Sequence, residues 1–157
     1  MNRKPWSVTV RLAKPGDAEP IANLSTQLGY PVSTREMKKR LKVVGDNEDQ
    51  RIYVAVAHAF VVGWIEIFLP RSVLNTGKAE IGALVVDVRY RRLGAGTALM
   101  TKAQKWAHEK RCPFIYLRSN IVRDDARKFY ERSGYDVFKT QNVFRKLLGN
   151  RRKRHTL

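Results

Sequence analysis

The hydrophobic and polar positions along the chain change period several times, and each change predicts a different element. Residues 7–12, SVTVRL, alternate with period two, which is typical of a short strand. The following segment, KPGDAEPIANLSTQLGYP, supplies a turn, an N-cap candidate at Asp17 and a helix that ends at Gly29. The segment STREMKKRLKVVGD predicts a second helix, because its apolar residues recur at helical spacing: Met37, Leu41 and Val44.

The middle of the chain predicts strands on both sides of a helix. From Arg51 the period returns to two in RIYVAVAHAFVVGWIEIFLP, which indicates a hairpin with a break near residues 58–60 and an end at Pro70. The segment AEIGALVVDV predicts a further strand. After Gly94 an amphipathic helix follows, and FIYLRSN then predicts a buried strand beside it.

The end of the chain predicts one more helix and a hairpin. Asp124 or Asp125 caps the helix in DARKFYERSG, which Gly134 ends, and YDVF and NVFRKLL form the hairpin. The resulting order predicts an α/β domain over residues 1–149, followed by a basic tail, 150–157. We expect a mixed, mostly antiparallel sheet of six to seven strands, with a central parallel β-α-β unit and about four flanking helices.

Composition agrees with one globular domain in a reducing compartment. The chain has 157 residues, of which 43% are hydrophobic, and this is enough for a sizeable core. Its one cysteine, Cys112, excludes an internal disulfide, and the three histidines are too scattered to indicate a metal site. No run approaches the roughly 20 apolar residues of a membrane helix, so we expect a cytoplasmic protein that is neither exported nor membrane-bound.

Charge narrows the choice of partners. The net charge is +17, and residues 101–157 carry 16 Lys and Arg against 5 Asp and Glu. Such a field favours anionic partners, which include phosphorylated cofactors, nucleic acid and acidic proteins. It disfavours polycationic substrates unless a locally acidic pocket overrides it.

The turn RYRRLGAG lies where the predicted central strand meets its helix, and it has the properties of an anion site. Helix N-termini expose unpaired N–H groups and carry about half a positive charge. Gly94 and Gly96 have no side chains to keep an anion away from these donors, and Arg89, Arg91 and Arg92 add positive charge.

Two nucleotide motifs do not fit this turn. A Walker loop requires a Lys after its second glycine, where Thr97 stands, and a Rossmann fingerprint requires a third glycine, where Leu99 stands. The pattern that remains is R-x-x-G-x-G, preceded by LVVD and followed, about 30 residues later, by DARKFYERSGY. These two motifs resemble the signature of the GNAT family of N-acetyltransferases, and the likeness covers nearly the whole chain in the family's order.

The resemblance implies the fold described above and an acetyl-CoA-dependent N-acetyltransferase. Such an enzyme transfers the acetyl group directly from the thioester to a primary amine of a small molecule or protein. It also implies that backbone N–H groups of Arg92 to Thr97 hold the CoA pyrophosphate, while the pantetheine arm runs beside the predicted central strand. The cofactor-binding residues it implies are Leu84, Val85, Val86, Arg91, Arg92, Leu93, Gly94, Ala95, Gly96, Thr97, Asn120 and Arg127.

Catalytic roles follow from the same resemblance. Tyr130 matches the family's tyrosine acid in FYE. Glu80, which begins the cofactor strand in AEI, is the expected base, and Glu66 or a water relay is the alternative. Asn120 resembles the asparagine that bonds pantetheine, but it lies ten positions before Tyr130, and Arg123 is an alternative at that place. We expect Cys112 to be packed rather than nucleophilic.

A second interpretation rests on charge alone. In it, the chain is a basic protein that associates with nucleic acid or the ribosome through its C-terminal third and its RRKR tail. The family also forms homodimers commonly, so a homodimer is possible here. The two interpretations are compatible, because a basic tail can place an acetyltransferase on an acidic partner.

Overall fold

The structure of the chain is a computed structural model that describes residues 7–74 and 77–149. The chain divides into two compact units, Met1–Asn120 and Ile121–Leu157. The predicted basic tail, residues 150–157, lies outside the described residues. Within the described part, no helix is both long and apolar enough to cross a bilayer.

In the part of the first unit that the structure describes, a five-stranded sheet is covered by three α-helices. The strands follow the order β1-β2-β3-β4-β5, with antiparallel pairing except between β4 and β5, which are parallel. Helix α3 connects these two parallel strands and completes the predicted β-α-β unit. The elements are β1 Val8–Leu12, α1 Ala18–Leu28, α2 Thr34–Gly45, β2 Gln50–Ala57, β3 Phe60–Phe68, β4 Ala79–Val86, α3 Ala95–Glu109 and β5 Ile115–Leu117.

The ends of these elements follow local chemistry. Gly29 has φ +98° and ends α1, as the sequence indicated. The Ser33 hydroxyl accepts a hydrogen bond from the backbone N–H of Glu36 and caps α2. Asp17 occupies the N-cap position of α1, but its side chain makes no cap bond there. Its carboxylate instead accepts hydrogen bonds from the Arg11 guanidinium at 2.7 and 2.9 Å.

One face of the sheet packs against α1 and α2. The register places Ile52, Val54, Trp64 and Val85 on this face, where they join a buried cluster with Leu24 and Leu41. Removing their apolar surface from water supplies the main stabilisation of this layer. On α3, the buried side chains include Leu99, Met100 and Trp106.

A β-bulge changes the sheet near the middle of β4. Glu66 lies opposite Ala83, whereas Ile67 lies opposite Ile81, so Gly82 is an extra residue on β4. Pairing with β5 covers only Ala79 to Ile81. From Gly82 onward, β3 is therefore the one strand partner of β4 in the described part of the chain. Along Gly82–Val86 the other edge of β4 is open, in the sense that no strand among residues 7–74 and 77–149 pairs with it.

In its described residues, 121–149, the second unit contains one helix, α4 Asp124–Arg132. Its N-cap is Arg123, without a side-chain cap bond, so the prediction of an Asp124 or Asp125 cap is wrong. Both carboxylates lie in the first turn instead. Their negative charges interact favourably there with the positive end of the helix dipole.

The predicted C-terminal hairpin is also wrong, because the described residues after α4, up to 149, form no strand. The described sheet therefore has five strands rather than six to seven. Alternating apolar residues fit a strand only where a neighbouring strand supplies hydrogen bonds and a core supplies cover. In this segment the large apolar side chains are exposed: Val137, Phe138, Val143, Phe144, Leu147 and Leu148.

Candidate active site

The turn that follows β4 is fixed by Asp87. Its carboxylate accepts hydrogen bonds from the Arg89 backbone N–H at 2.9 Å and from Arg89 Nε and Nη2 at 3.1 and 2.8 Å. The backbone N–H of Asp87 donates to the carbonyl of Val62 on β3 at 2.8 Å. The Arg89 guanidinium lowers the pKa of Asp87 to about 2, so the ionised carboxylate holds Arg89 within the turn, while the backbone bond to Val62 joins the turn to the sheet.

Two of the three arginines predicted to surround an anion bind their own chain. Arg89 pairs with Asp87, and Arg91 Nε donates to the carbonyl of Val86 at 3.3 Å. Arg92 is exposed and has φ +63°, a left-handed conformation that is uncommon for a residue with a side chain. All three guanidiniums still contribute positive charge near the turn.

The start of α3 presents unpaired amides. Gly94 has φ +89° and is the N-cap, and the first helical bond runs from the N–H of Ala98 to the carbonyl of Gly94 at 2.9 Å. The N–H groups of Ala95, Gly96 and Thr97 precede this bond and have no carbonyl within the helix. The positive φ at position 94 explains why glycine occupies it. Gly96 lies inside the helix, and its lack of a side chain leaves the backbone accessible.

The open edge of β4 leads to this turn. Val85 is buried in the core, whereas Leu84 and Val86 are partly buried. Gly63 on β3 was not singled out from the sequence, but a Cβ there would lie 2.8 Å from the carbonyl oxygen of Val85. An isolated glycine within a strand pattern is the signal that indicates such a close approach.

Glu80 is buried at the start of β4, and both of its oxygens are engaged. The Tyr116 hydroxyl donates to Oε2 at 2.7 Å, and Arg118 Nη1 donates to Oε1 at 2.7 Å. Both partners come from β5 or the residue after it. The sequence did not identify them, because their proximity depends on the parallel register between β4 and β5.

Glu66 lies on the neighbouring strand, β3, and its two carboxylate oxygens have different surroundings. Gln50 Nε2 donates to Oε1 at 2.6 Å. The other oxygen, Oε2, lies at the bulge, only 2.5 Å from the position that a Cβ on Gly82 would occupy. Gly82 is exposed, so this oxygen lies beside the open part of β4.

Tyr130 and Arg127 belong to the second unit. The Tyr130 ring contacts the rings of Phe129 and Tyr135 edge-on, at centroid distances of 5.3 and 6.1 Å. Burial raises the pKa of the Tyr130 phenol above its ordinary value, so the hydroxyl keeps its proton at neutral pH. Arg127 Nε donates to Glu131 at 2.8 Å on the exposed side of α4.

Most of the predicted residues belong to the first unit. Glu80 lies at the start of β4 and Glu66 beside its bulge, whereas the turn and the start of α3 follow the other end of β4. Asn120 is the last residue of that unit and is exposed. The roles of Asn120, Tyr130 and Arg127 stay predictions.

Other reactive groups do not form a competing site in the described residues. Burial raises the pKa of the Cys112 thiol, which disfavours the nucleophilic thiolate. No group of three or more His, Cys, Asp or Glu side chains that could hold a metal ion occurs among residues 7–74 and 77–149.

Comparison with known proteins adds a family and a fold. A sequence model described as the acetyltransferase (GNAT) family matches residues 19–135. A search of curated protein sequences gives no match.

Several solved structures share the fold. A GNAT family acetyltransferase from Staphylococcus aureus is 23% identical, with 90% of this chain and 99% of that chain covered and a TM-score of 0.71. Glucosamine-6-phosphate N-acetyltransferase from Arabidopsis thaliana is 19% identical, with 88% and 98% covered and a TM-score of 0.75. The aminoglycoside N-acetyltransferase AAC(6')-Iy in complex with CoA is 14% identical, with 93% and 99% covered and a TM-score of 0.81.

Proposed function

Because the chain belongs to the acetyltransferase (GNAT) family, we propose that it transfers an acetyl group from acetyl-CoA directly to a primary amine. The acceptor is a small molecule or an amino group of a protein. The observation that carries this proposal is the family match together with the open β4 edge that leads to the exposed amides of α3. A protein of similar fold binds CoA, which supports the cofactor.

The CoA pyrophosphate is proposed to lie on the turn from Arg92 to Thr97. The amides at the start of α3 point their N–H groups out of the helix, and the helix dipole favours negative charge there. The left-handed conformation of Gly94 sets the direction in which the helix begins. Leu93, Ala95 and Gly96 contribute backbone rather than side-chain chemistry.

The pantetheine arm is proposed to pair with the open edge of β4 along Leu84 to Val86. Backbone N–H and C=O groups on a strand edge without a partner are available for such pairing, although the Val86 carbonyl must first release Arg91 Nε. The thioester carbonyl would then accept a hydrogen bond from a backbone N–H of β4. A donor fixed in this way stabilises the oxyanion of the tetrahedral intermediate by a few kcal/mol.

The transfer requires two proton movements. The amine nitrogen attacks the thioester carbon, a C–N bond forms, and the C–S bond breaks when the tetrahedral intermediate collapses. A base takes the proton from the nitrogen, since a lysine-like amine has a pKa of about 10.4. Tyr130 donates its phenolic proton to the departing sulfur, and Asn120 and Arg127 are proposed to bind pantetheine and phosphate.

Glu80 is the proposed base, and Glu66 is the alternative. Glu80 belongs to the cofactor strand, but Arg118 or Tyr116 must release one of its oxygens before it accepts a proton directly or through a water. Glu66 Oε2 is already beside the open part of β4. The two roles are separable by experiment, because a base acts on kcat and an amine-binding carboxylate acts on KM.

The proposal is tested by acetyl-CoA turnover against peptide, polyamine, amino-acid and antibiotic amines, with the released thiol measured. Calorimetric titration with CoA is the second measurement. We expect CoA binding and thiol release that depends on an amine. Absence of CoA binding, together with no acetylated product from any amine, would exclude the proposed activity.

A further inference from the structure

A pocket of about 430 Å³ lies between α2 and the face of the sheet that carries Trp64. Its walls are largely apolar and include Met37, Val44, Ile52 and Trp64. Its polar residues include Gln50 and Glu66. The pocket therefore reaches the carboxylate that lies beside the β4 bulge.

Glu66 supplies the negative charge of this pocket. Glu36 also lines it but pairs with Arg40 at 3.3 Å. Among the described residues, no cationic side chain forms an ion pair with Glu66, and Gln50 fixes only its Oε1. A partly buried carboxylate without an ion-pair partner favours one positively charged group beside it.

The walls oppose a second charge or a polyhydroxylated ligand. Glu36 and Arg40 form an ion pair, and Lys39 also lines the pocket and repels additional ammonium groups. Sugar hydroxyls placed against Met37, Val44 and Ile52 would lose their hydrogen bonds to water without replacement. Trp64 is only 7% exposed, and its aromatic surface suits an apolar group. Its indole N–H has no hydrogen-bond partner in the described part of the chain.

We propose that this pocket binds the acetyl acceptor, and that the acceptor is a primary monoamine on an apolar aliphatic or aromatic body. Glu66 holds the amine, and the apolar walls hold the body. The inference rests on the proposed function, since it names the substrate class of that enzyme. Glu66 is here an acceptor-binding residue rather than the base.

The position of Glu66 connects the pocket to the proposed cofactor strand. Its Oε2 lies against Gly82, at the point where β4 separates from β5. An amine bound to this oxygen is therefore beside the strand edge proposed to hold the thioester. A side chain at Gly82 would meet both Glu66 and the Phe68 ring, at 2.5 and 2.9 Å.

The inference is tested by steady-state kinetics with three acceptors: phenethylamine, spermidine and kanamycin. We expect kcat/KM for phenethylamine to exceed both others by at least about tenfold. Glu66→Gln is expected to raise KM for phenethylamine about tenfold or more while KM for acetyl-CoA changes less than about twofold. Glu80→Gln is the comparison, and it is expected to lower kcat instead.

A charge-matched pair of variants on α2 separates the pocket from the general field. Val43 lines the pocket and is exposed, whereas neighbouring Lys42 is exposed and lies outside the lining. Val43→Glu and Lys42→Met both lower the net charge by one. Only Val43→Glu is expected to lower KM for phenethylamine, and equal effects of the two variants would overturn the assignment.

The remaining outcomes separate the inference from the proposed function. Preference for spermidine or kanamycin with intact CoA binding overturns the monoamine inference and leaves the acetyltransferase in place. A Glu66→Gln variant with native unfolding temperature, unchanged KM and reduced kcat does the same, and it makes Glu66 the base. No CoA binding and no acetyl transfer to any amine overturns both.

Discussion

At the scale of single residues, the decisive difference is how Glu80, Glu66 and Tyr130 are surrounded. Glu80 is buried with both oxygens occupied, whereas Glu66 has one oxygen beside the open strand edge. Tyr130 is held by two aromatic rings, and its phenol keeps its proton. A carboxylate can receive a proton and a phenol can donate one, so these residue types supply both proton movements of amide formation.

Tyr130→Phe removes the phenolic hydroxyl and keeps the ring. If Tyr130 protonates the departing sulfur, kcat is expected to fall about 100-fold, since general acids contribute at least that much, while CoA affinity is unchanged. Because burial raises the pKa of this phenol, the wild-type enzyme should keep its acid through pH 10 and lose kcat only above that pH. Turnover and calorimetry across pH provide the measurement.

The matched control for this variant is Tyr135→Phe. Tyr135 contacts the Tyr130 ring, so its change tests whether the aromatic cluster alone matters. Unchanged kcat in Tyr130→Phe, or equal losses in both variants, would remove Tyr130 from the acid role.

Sequence identified residue types better than it identified their partners. Glu80 and Tyr130 stand in motifs, AEI and FYE, that are read directly from the chain. Arg118 and Tyr116 meet Glu80 across 38 and 36 positions, and Gln50 meets Glu66 across 16. These contacts depend on strand register, which periodicity does not specify when both faces of the sheet are largely covered.

At the scale of elements, the strand-turn-helix from β4 to α3 is where local signals and tertiary structure agree. Period-two apolar residues, two glycines and an amphipathic pattern each predicted one part of it, and all three parts form in that order. The C-terminal hairpin is the opposite case. Its apolar and polar residues alternate as in a strand. A strand also requires a neighbouring strand to pair with, and a single sequence does not reveal which segment that would be.

The conformation of Gly94 is a property of this element and can be tested alone. A Cβ at Gly94 would meet nothing within 4 Å, so Gly94→Ala introduces strain from φ +89° without a clash. That strain costs about 1 kcal/mol or more, and it is expected to shift the amides of α3 and weaken CoA binding several-fold.

Calorimetric titration with CoA measures this effect. Gly45→Ala is the control, because a Cβ there also meets nothing within 4 Å and its φ is not positive. Native CoA affinity in Gly94→Ala would contradict the proposed pyrophosphate site.

The ionisation of Asp87 in the same turn makes the stability of the fold depend on pH. Its pKa is about 2 in the folded protein, below its ordinary value of 3.8, so its ion pair with Arg89 stabilises the fold fully above about pH 4. This stabilisation is lost as the pH falls toward 2. Solvent screens this ion pair, because the Arg89 side chain is exposed, and this reduces its contribution to stability.

Thermal unfolding followed by circular dichroism at pH 6 and pH 2.5 tests this dependence. Asp87→Asn should unfold several degrees below the wild type at pH 6, and this difference should shrink at pH 2.5. Asp46→Asn, at an exposed carboxylate on the end of α2, should change neither value appreciably. An Asp87→Asn difference that is equal at both pH values would contradict the role of the ion pair.

At the scale of the whole molecule, the net charge has opposite effects on the binding of the proposed cofactor and of the proposed acceptor. The net charge of +17 favours binding of the proposed anionic cofactor, whereas it opposes binding of the proposed cationic amine. The proposed acceptor pocket resolves this opposition locally, because Glu66 is negative while Lys39 also lines the pocket. One positive group is therefore tolerated there, and several are not.

This opposition predicts contrary effects of salt on the two substrates. Raising NaCl from about 50 to about 300 mM shortens the screening length to roughly 6 Å, so long-range attraction of acetyl-CoA weakens and its kcat/KM should fall several-fold. For phenethylamine, screening removes repulsion, and kcat/KM should stay constant or rise. Replacing Arg151, Arg152, Lys153 and Arg154 with Gln removes four charges and should flatten the salt dependence for acetyl-CoA without changing kcat. A parallel decline for both substrates would show that salt acts on the enzyme itself rather than on the attraction between its charge and the cofactor.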